Sequence, residues 1–393
     1  MNRQQMRLGD DRDDPSIGIL YYAWQGAEGD RDSDVRSKVS LSWRSAVQRA
    51  LGGAAGSVAA AKAGHLHTQW LADDVYLFLR LPGELEEARH EEWLLETSLR
   101  FQRLLQPHID GLGSGSLRAG VSLLDGQETG SRWYEGLKRA LLHGQAAGSV
   151  ERTLRRRAFE ALLRQGSIYA VYQPIISLRE QRPLGYESLT RCADDRWFDG
   201  PLALFSFAEQ EGAIYSLDRL AREKALAGCG ALQPGQKLFL NITASIINDP
   251  HFTPGRTLPL LERYGLSPTD VVFEITERSS IEDFAGAKRL LAHYRRQGYQ
   301  IAIDDAGAGY SSLESIVELR PDYIKVDRSL VRQLHRDEMK RHVLGTFVQF
   351  ADKMGIEVIA EGIEEPAELE QVREMGIAYA QGYLLGRPAR MPG

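Results

Sequence analysis

Gln300-Ile-Ala-Ile-Asp-Asp305 is a short apolar run that ends in two adjacent carboxylates. Other runs after residue 169 end in the same way, with a polar or charged side chain at or near the last position. The full set is Gly-Tyr-Glu187, Leu-Phe-Leu-Asn241, Val-Val-Phe-Glu274, Ile-Ala-Ile-Asp304-Asp305, Tyr-Ile-Lys325 and Val-Ile-Ala-Glu361. Short runs of this composition are typical of buried strands, so the pattern predicts strands that carry reactive groups at their ends.

The same region alternates regularly between strand-like and helical stretches, which indicates an α/β fold. Eight strand candidates separated by helices match the size and order of a (β/α)₈ TIM-like barrel. In such a barrel the C-terminal ends of the strands meet at one mouth, where active sites are built. The predicted strands are Tyr169–Gln173, Gly185–Leu189, Lys237–Ile242, Val271–Thr276, Gln300–Asp304, Asp322–Val326, Glu357–Glu361 and Ala378–Leu384.

Five carboxylates and one amide at a single barrel mouth need positive charge nearby. Buried charges that are not compensated cost several kcal/mol each, and Lys325 alone cannot balance five acids. Ligand sets made only of oxygen favour Mg²⁺ or Mn²⁺, and no paired-histidine motif suited to zinc lies near a strand end. One acid at a strand end is commonly a helix N-cap or a surface ion pair, but this many on successive strands favour a metal site.

Residues 1–150 have a different pattern, which predicts a smaller α+β domain. Two strand-like runs flank Asp73 and Asp74 and predict a hairpin. Residues 151–393 then form the barrel domain, beginning with an arginine-rich connecting helix at 151–164 whose arginines either attract substrate or line a solvated face. The predicted elements of the first domain are strands at 17–24, 68–72, 75–81 and 117–123 and helices at 39–51, 84–105 and 132–142.

Length and composition limit the class of protein. A chain of 393 residues suits two domains, and 43% hydrophobic with 26% charged residues is ordinary for a globular protein. A net charge of −6 provides no general attraction to DNA, RNA or an anionic membrane. Cys192 and Cys229 are too few for a disulfide framework. Without a signal-peptide-like start or a membrane-spanning run, we expect a cytoplasmic protein.

Eight motifs follow one another along the barrel region. They are Tyr172-Gln-Pro-Ile175, Glu187-Ser-Leu-Thr-Arg191, Asn241-Ile-Thr243, Glu274-Ile-Thr-Glu277, Asp304-Asp-Ala-Gly-Ala-Gly-Tyr-Ser-Ser-Leu313, Lys325-Val-Asp327, Ala360-Glu-Gly-Ile-Glu364 and Gln381-Gly-Tyr383. In order and spacing, over about residues 155–390, they resemble the EAL-domain family, which hydrolyses cyclic di-GMP to linear pGpG. Two positions depart from the family: Glu-Ala-Leu is Glu-Ser-Leu, and Asp-Asp-Phe-Gly is Asp-Asp-Ala-Gly. The second change removes an aromatic side chain from a loop and bears on turnover and dimer coupling more than on binding.

The resemblance implies two bound cations, Mg²⁺ or Mn²⁺, with Ca²⁺ inhibitory. Carried over by position, it implies that one cation is held by Glu187, Asn241, Glu274 and Asp304, and the other by Asp304 and Asp305. Such a pair would bind the scissile phosphate and activate water for in-line displacement. The resemblance further implies that Lys325 neutralises charge and orients that water. It leaves Glu361 as either the general base or a ligand of the water-bearing metal.

Further residues are assigned by the same resemblance. Arg191 suits a bidentate phosphate contact, and Gln173 and Gln381 would contact the dinucleotide. Glu277 would anchor the 307–312 loop, whose composition is also typical of a glycine turn with a serine capping the next helix. The family commonly dimerises beside this loop, so we expect a homodimer through the EAL domain.

The N-terminal part resembles the GGDEF family in a degenerate form. Trp70-Leu-Ala-Asp-Asp-Val75 stands where Gly-Gly-Asp-Glu-Phe would be, and side chains replace the glycines that let the backbone approach a phosphate. The first strand, ending Tyr21-Tyr-Ala-Trp-Gln25, lacks the expected metal-binding aspartate, and no Arg-x-x-Asp motif precedes the hairpin. We therefore expect an inactive, regulatory domain in which Asp73 and Asp74 are turn residues.

Three functions follow from these readings. The first is an active cyclic di-GMP phosphodiesterase regulated by the N-terminal domain. The second is a receptor that binds cyclic di-GMP without cleaving it, and the third is a regulator that acts through protein contacts alone. Retention of every matched position favours the enzyme, and an acidic mouth that is costly to keep without a metal argues against the third.

Overall fold

The computed structural model describes residues 17–26, 33–52, 64–113, 115–124, 130–145, 150–243, 246, 255, 257–276, 284–307 and 312–391. The chain divides into two compact units, Met1–Glu160 and Ala161–Gly393. Within the described ranges, no helix is long and apolar enough to cross a membrane.

The first unit is built on a four-stranded antiparallel sheet. Its strands are β1 (Ile17–Gly26), β2 (Gly64–Leu71), β3 (Asp74–Arg80) and β4 (Gly115–Leu124), in the order β2-β3-β1-β4. Its helices are α1 (Ser33–Gly52), α2 (His90–Ile109) and α3 (Gly130–Gln145), with a 3₁₀ turn at Glu87–Arg89. The order β1-α1-β2-β3-α2-β4 is a split β-α-β arrangement. All predicted strands and helices of this region are present, although α1 begins six residues before its predicted start at 39 and α2 six residues after its predicted start at 84; membership of the GGDEF family stays a prediction.

The sheet is packed on both faces because alternate residues of each strand point to opposite sides. Ile19, Tyr21, Tyr76 and Phe78 belong to the core that the sheet forms with α3. On the opposite face the ring of Tyr22 lies 5.1 Å from that of Phe101 in α2, and its hydroxyl donates to Ser98. The first unit therefore has a hydrophobic core of its own.

The β2–β3 hairpin differs from its prediction by one residue. The turn is Ala72-Asp73, and Asp74 already begins β3. A two-residue hairpin turn requires positive φ, and Ala72 has φ 51°. Side chains of α1 hold the turn, since Nε1 of Trp43 donates to the Asp73 carbonyl at 2.8 Å and Arg44 donates to the Ala72 carbonyl. The turn therefore packs against α1.

The predicted connecting helix is present as α4 (Val150–Gln165). Leu154, Phe159 and Leu162 are buried on its apolar face. On its polar side Arg157 pairs with Glu91 at 2.9 Å, and Arg156 pairs with Glu160 at 3.3 Å, with all four side chains exposed. These contacts are those of a solvated helix face.

The second unit is a closed eight-stranded barrel, which confirms the predicted TIM-like architecture. Its strands follow in order around the barrel: β5 (Ile168–Ser177), β6 (Arg182–Cys192), β7 (Lys237–Asn241), β8 (Val271–Thr276), β9 (Gln300–Ala306), β10 (Tyr323–Val326), β11 (Glu357–Ala360) and β12 (Tyr379–Ala380). The described helices of this unit are α5 (Gly200–Gln210), α6 (Ile214–Gly228), α7 (Thr257–Arg263), α8 (Phe284–Arg296), α9 (Ser312–Leu319), α10 (Arg328–Val331), α11 (Glu338–Met354) and α12 (Pro366–Glu374), with 3₁₀ turns at Pro268–Asp270 and Leu334–Arg336.

One part of the barrel prediction is wrong: no helix lies between the first two barrel strands. β5 runs antiparallel to both of its neighbours, β6 and β12. Only residues 178–181 join β5 to β6, with Gln181 at φ 54°. A parallel crossover needs about a dozen residues or more, so this connection permits only a hairpin. The hairpin places Gln173 directly opposite Glu187.

Candidate metal centre at the barrel mouth

The polar side chains of the mouth are placed by the two-residue period of the strands. A buried layer inside the barrel contains Phe239, Val272, Ala302, Tyr323 and Ile359. Two positions further along the same segments come Asn241, Glu274, Asp304, Lys325 and Glu361. Each therefore continues the inward-facing row of its strand, with a packed apolar layer on one side and the open mouth on the other.

Lys325 lies at the centre of the site and is 1% exposed. Its Nζ is 3.2 Å from Oε2 of Glu187, 3.0 Å from Oε1 of Glu274, 3.0 Å from Oδ1 of Asp304 and 2.8 Å from Oε1 of Glu361. Burial alone would favour the neutral amine, but these four carboxylates outweigh it and raise the pKa of Lys325 well above its usual value. We call Lys325, these four acids and Asp305 the mouth cluster.

One ammonium does not satisfy all the acids of the mouth cluster. Burial raises the pKa of Glu274 and of Glu361 well above their usual range, against the opposing effect of Lys325. Burial, with the charges of Asp304 and Asp327, also raises the pKa of Asp305 to about 6. Glu187 behaves in the opposite way: although burial works against it, Lys325 and two side-chain amides hold its pKa below the usual value.

Asp304 and Asp305 face the same site although they are adjacent in β9. Neighbouring residues of a regular strand point to opposite faces, but Asp305 has φ 57°, in the left-handed region. The pairing of β9 with β10 shifts register at the same place. Such a bulge re-aims a side chain, and the strain it stores is typical of functional sites.

Two groups of ligand atoms in the mouth cluster fit divalent cations. Oxygens of Glu187, Glu274 and Asp304 lie within 4.8 Å of one another, as do those of Asp304, Asp305 and Glu361. Among the described residues, both oxygens of Glu274 and Oδ1 of Asp304 are buried without a hydrogen-bond partner, although Lys325 lies close to two of them. Unsatisfied buried acceptors require a counter-ion or water. The all-oxygen donor set therefore fits Mg²⁺ or Mn²⁺.

This grouping can be compared with the ligand sets expected from sequence. Asp304 belongs to both groups, at the position expected of a bridging ligand. Asn241 donates its Nδ2 to Oε1 of Glu187 at 3.2 Å, which leaves its oxygen as the atom able to ligate a cation. Glu361 joins the second group, so geometry keeps both of its expected roles open.

The remaining expected site residues differ in position. Gln173 and Gln381 are 8% and 4% exposed, and Nε2 of Gln381 donates to Glu187 at 2.7 Å. Arg191 lies four residues beyond Glu187 on β6, about 13 Å along the strand at roughly 3.3 Å per residue, and its guanidinium donates to the Thr190 carbonyl at 2.9 Å. It is therefore not part of the mouth cluster. Glu277 lies outside the described residues, as do residues 308–311 of the loop it was expected to anchor.

Sequence reasoning missed a residue that fixes the loop after Glu361. Glu368 in α12 is 1% exposed and accepts from the backbone N–H groups of Gln333, Glu364 and Glu365 at 2.9, 3.0 and 3.1 Å. Glu365 and Glu368 form a capping box, with Pro366 at the first turn. Pro366 at the first helical position is a recognisable helix-start signal, whereas a glutamate at the cap position is not among the usual cap residues.

The described site is the carboxylate-lined mouth of a TIM-like barrel, the face on which barrels of this kind build their active sites. The family model for the EAL domain matches residues 155–388. The chain belongs to the EAL domain family.

Three known proteins illustrate the relationship. The chain is 30% identical over 233 residues to the probable cyclic di-GMP phosphodiesterase PdeG of Escherichia coli, covering 58% of this chain and 45% of PdeG. It is 31% identical over 232 residues to the cyclic di-GMP phosphodiesterase RocR of Pseudomonas aeruginosa, covering 58% of each. A crystal structure of an EAL domain protein from Listeria monocytogenes superposes with a TM-score of 0.51 at 26% identity, covering 60% of this chain and 94% of that one. The match to each curated relative thus spans less than two thirds of that relative's length.

Proposed function

We propose that the barrel is a phosphodiesterase that hydrolyses cyclic di-GMP to linear pGpG with two Mg²⁺ or Mn²⁺ ions. The observation that carries this proposal is the pair of carboxylate groups that share Asp304 around the buried ammonium of Lys325. The names of PdeG and RocR support the choice of substrate.

The residues of the mouth cluster divide the work as follows. Cations held by Glu187, Glu274, Asp304, Asp305 and Glu361 would polarise the scissile phosphate and activate the attacking water. Lys325 adds a fixed positive charge in a water-poor site, where it favours the charge that develops on the phosphate in the transition state. Of the four acids that contact Lys325, Glu361 has the most exposed side chain, at 17%. It is therefore the acid best placed to take a proton from water, either as the base or as a ligand beside it.

Residues around the cluster would hold the dinucleotide. Gln381 has a buried Oε1 without a hydrogen-bond partner among the described residues, which suits a donor group of the ligand. Gln173 lies beside it, and Arg191 further along β6 suits a phosphate contact. We assign Glu277 to anchoring the loop after Asp305.

Residues 1–150, which make up most of the first unit, are proposed to form a degenerate GGDEF-like regulatory domain without cyclase activity. Its hairpin turn carries Ala72 in place of a glycine, and Trp43 and Arg44 of α1 donate to the turn carbonyls, so side chains lie beside a turn where glycines would let the backbone approach a phosphate. The EAL domain, residues 151–393, is proposed to form a homodimer in the cytoplasm.

The test uses the purified full chain and cyclic di-GMP. We expect pGpG with Mg²⁺ or Mn²⁺, no product in EDTA, and poor turnover with Ca²⁺, whose longer and looser coordination holds the reacting oxygens less well. Products are separated by chromatography and binding is measured in Ca²⁺. Full activity in EDTA contradicts the metal requirement. Tight binding without cleavage in any metal identifies a receptor instead of an enzyme.

A further inference from the structure

Two buried glutamines connect Glu187 to the C-terminal segment of the chain. Nε2 of Gln381 lies 2.7 Å from Oε2 of Glu187 and 3.1 Å from Oε1 of Gln173. Nε2 of Gln173 lies 3.1 Å from the carbonyl oxygen of Gly386. We call Gly386, Gln173 and Gln381 the amide relay.

The carbonyl of Gly386 fixes the direction of every hydrogen bond in the relay. A backbone carbonyl only accepts, so Gln173 turns its NH₂ toward Gly386 and its oxygen toward Gln381. An amide oxygen and an ionised carboxylate also only accept, so Gln381 must turn its NH₂ toward both Gln173 and Glu187. The relay therefore always presents a donor to Glu187.

Gly386 is itself held against β5. The chain beyond it pairs with β5 through Ala389, whose N–H donates to the Tyr172 carbonyl at 3.0 Å and whose carbonyl accepts from the Tyr172 N–H at 2.7 Å. A side chain on Gly386 would meet Pro174 at 2.4 Å, so this glycine allows the close approach. The chain pairs with β5 at Ala380 in β12 and again at Ala389. The Gly386 carbonyl lies between these two points, which fix its position.

We propose that Gln381 and Gln173 are positioning residues that orient the carboxylate of Glu187 for cation binding. The inference rests on the proposed function, in which Glu187 is a metal ligand. Asn241 donates to Oε1 of Glu187 and Gln381 to Oε2, so both oxygens have a fixed donor and the carboxylate plane is set. Hydrogen-bond partners of this kind orient ligands, and their loss lowers metal affinity by about 10- to 100-fold.

The test measures Mn²⁺ binding to the full chain by calorimetry without nucleotide. Gln381→Met keeps the length of the side chain and removes its donors, and we expect about 10-fold weaker Mn²⁺ binding. Gln173→Met should weaken binding less. The double variant should match Gln381→Met, because Gln173 acts on Glu187 only through Gln381. The matched control is Gln236→Met, a buried glutamine before β7 at the opposite end of the barrel, which should leave Mn²⁺ affinity unchanged.

Several results would overturn the relay. The first is a Mn²⁺ affinity in Gln381→Met equal to that of the wild type. The second is a loss of Mn²⁺ affinity in the double variant equal to the sum of the two single losses. The third is a Gln381→Met variant in which the KM for cyclic di-GMP rises while Mn²⁺ affinity is unchanged. If circular dichroism shows that Gln381→Met does not fold, Gln173→Met decides alone, since it must still lose Mn²⁺ affinity. A wild-type chain that binds Mn²⁺ but cleaves no cyclic di-GMP refutes the proposed function and leaves the relay standing. Normal cleavage with unchanged Mn²⁺ affinity in the variants refutes the relay alone.

Discussion

Nζ of Lys325 lies 2.8 Å from Oε1 of Glu361, at the carboxyl ends of two adjacent parallel strands. This ion pair is one of four that share the same ammonium. The mouth cluster contains five carboxyl groups and one amine, so with all of them ionised its charge is −5 + 1 = −4. Divalent cations at the two ligand groups would offset this charge.

Lys325→Met should destabilise the protein and abolish turnover. Removing one partner of a buried charge network costs about 3–5 kcal/mol, because the acids are left without compensation. The loss of unfolding free energy in EDTA should be larger at pH 8 than at pH 6, since protonation relieves the repulsion. Lys237→Met is the control, because Lys237 begins β7, at the opposite end of that strand from Asn241, and its Nζ donates to the Thr269 carbonyl. Urea denaturation with equal midpoints for wild type and Lys325→Met would contradict the shared ion pair.

Glu187→Gln and Glu361→Gln should fail in different ways. Glu187→Gln removes a negatively charged ligand. It also replaces one carboxylate oxygen with an NH₂ group, which would face the donor groups of Asn241 or Gln381. Binding of Mn²⁺ and of the nucleotide should therefore both weaken. Glu361→Gln should lower kcat by about 100-fold or more, with cyclic di-GMP affinity in Ca²⁺ within a few-fold of wild type. The measurements are kcat and equilibrium binding. Equal collapse of affinity in both variants would make Glu361 primarily a metal ligand.

The site was predictable where it follows local periodicity, and unpredictable where it depends on distant contacts. Apolar runs end at Asn241, Glu274, Asp304 and Lys325. The alternation of side chains along each strand therefore predicts that these four residues face the same mouth of the barrel. The bulge that turns Asp305 inward leaves no mark on the sequence, because it depends on the pairing of β9 with β10. A barrel strand that runs antiparallel was likewise missed, although the short 178–181 connection could have revealed it.

The amide relay was hidden for the same reason. Gln173 and the Gly386 carbonyl are 213 positions apart, and Gln381 and Glu187 are 194 apart. A glutamine beside a motif suggests a ligand contact, and only the closed barrel shows that the same amide also supports a carboxylate.

Asp305→Asn should change how stability depends on pH in EDTA. Burial, with the charges of Asp304 and Asp327, raises the pKa of Asp305 to about 6 in the folded protein, whereas an unfolded aspartate has a pKa near 3.9. The stability due to this group is therefore present below about pH 4 and is lost as pH rises through about 6. Wild type and Asp305→Asn should unfold alike at pH 4, and the variant should be more stable at pH 7.5.

Saturating Mg²⁺ should reverse this order at pH 7.5, because only the wild type keeps the ligand charge. Thermal unfolding across pH measures both effects. Asp352→Asn, an exposed aspartate in α11, is the matched control and should show neither effect. A constant difference between wild type and Asp305→Asn from pH 4 to 7.5 would contradict the pKa shift of Asp305.

Removing residues 1–149 should leave a folded barrel that still hydrolyses cyclic di-GMP at a changed rate. The barrel closes on itself and has its own buried clusters, so its strands lose no pairing partner. A truncated chain that begins at Val150 keeps α4, whereas one that begins at Ile168 lacks it. Comparing their rates separates the effect of α4 from the effect of the N-terminal sheet and its helices. The measurements are kcat, KM and molar mass by light scattering across metal and substrate concentrations.

The full chain should form no cyclic di-GMP from GTP, since Leu71 and Ala72 stand where the proposed GGDEF-like hairpin would need glycines for the backbone to approach a phosphate. If the chain beginning at Val150 matches the full chain in rate and oligomeric state, the first unit does not regulate the barrel.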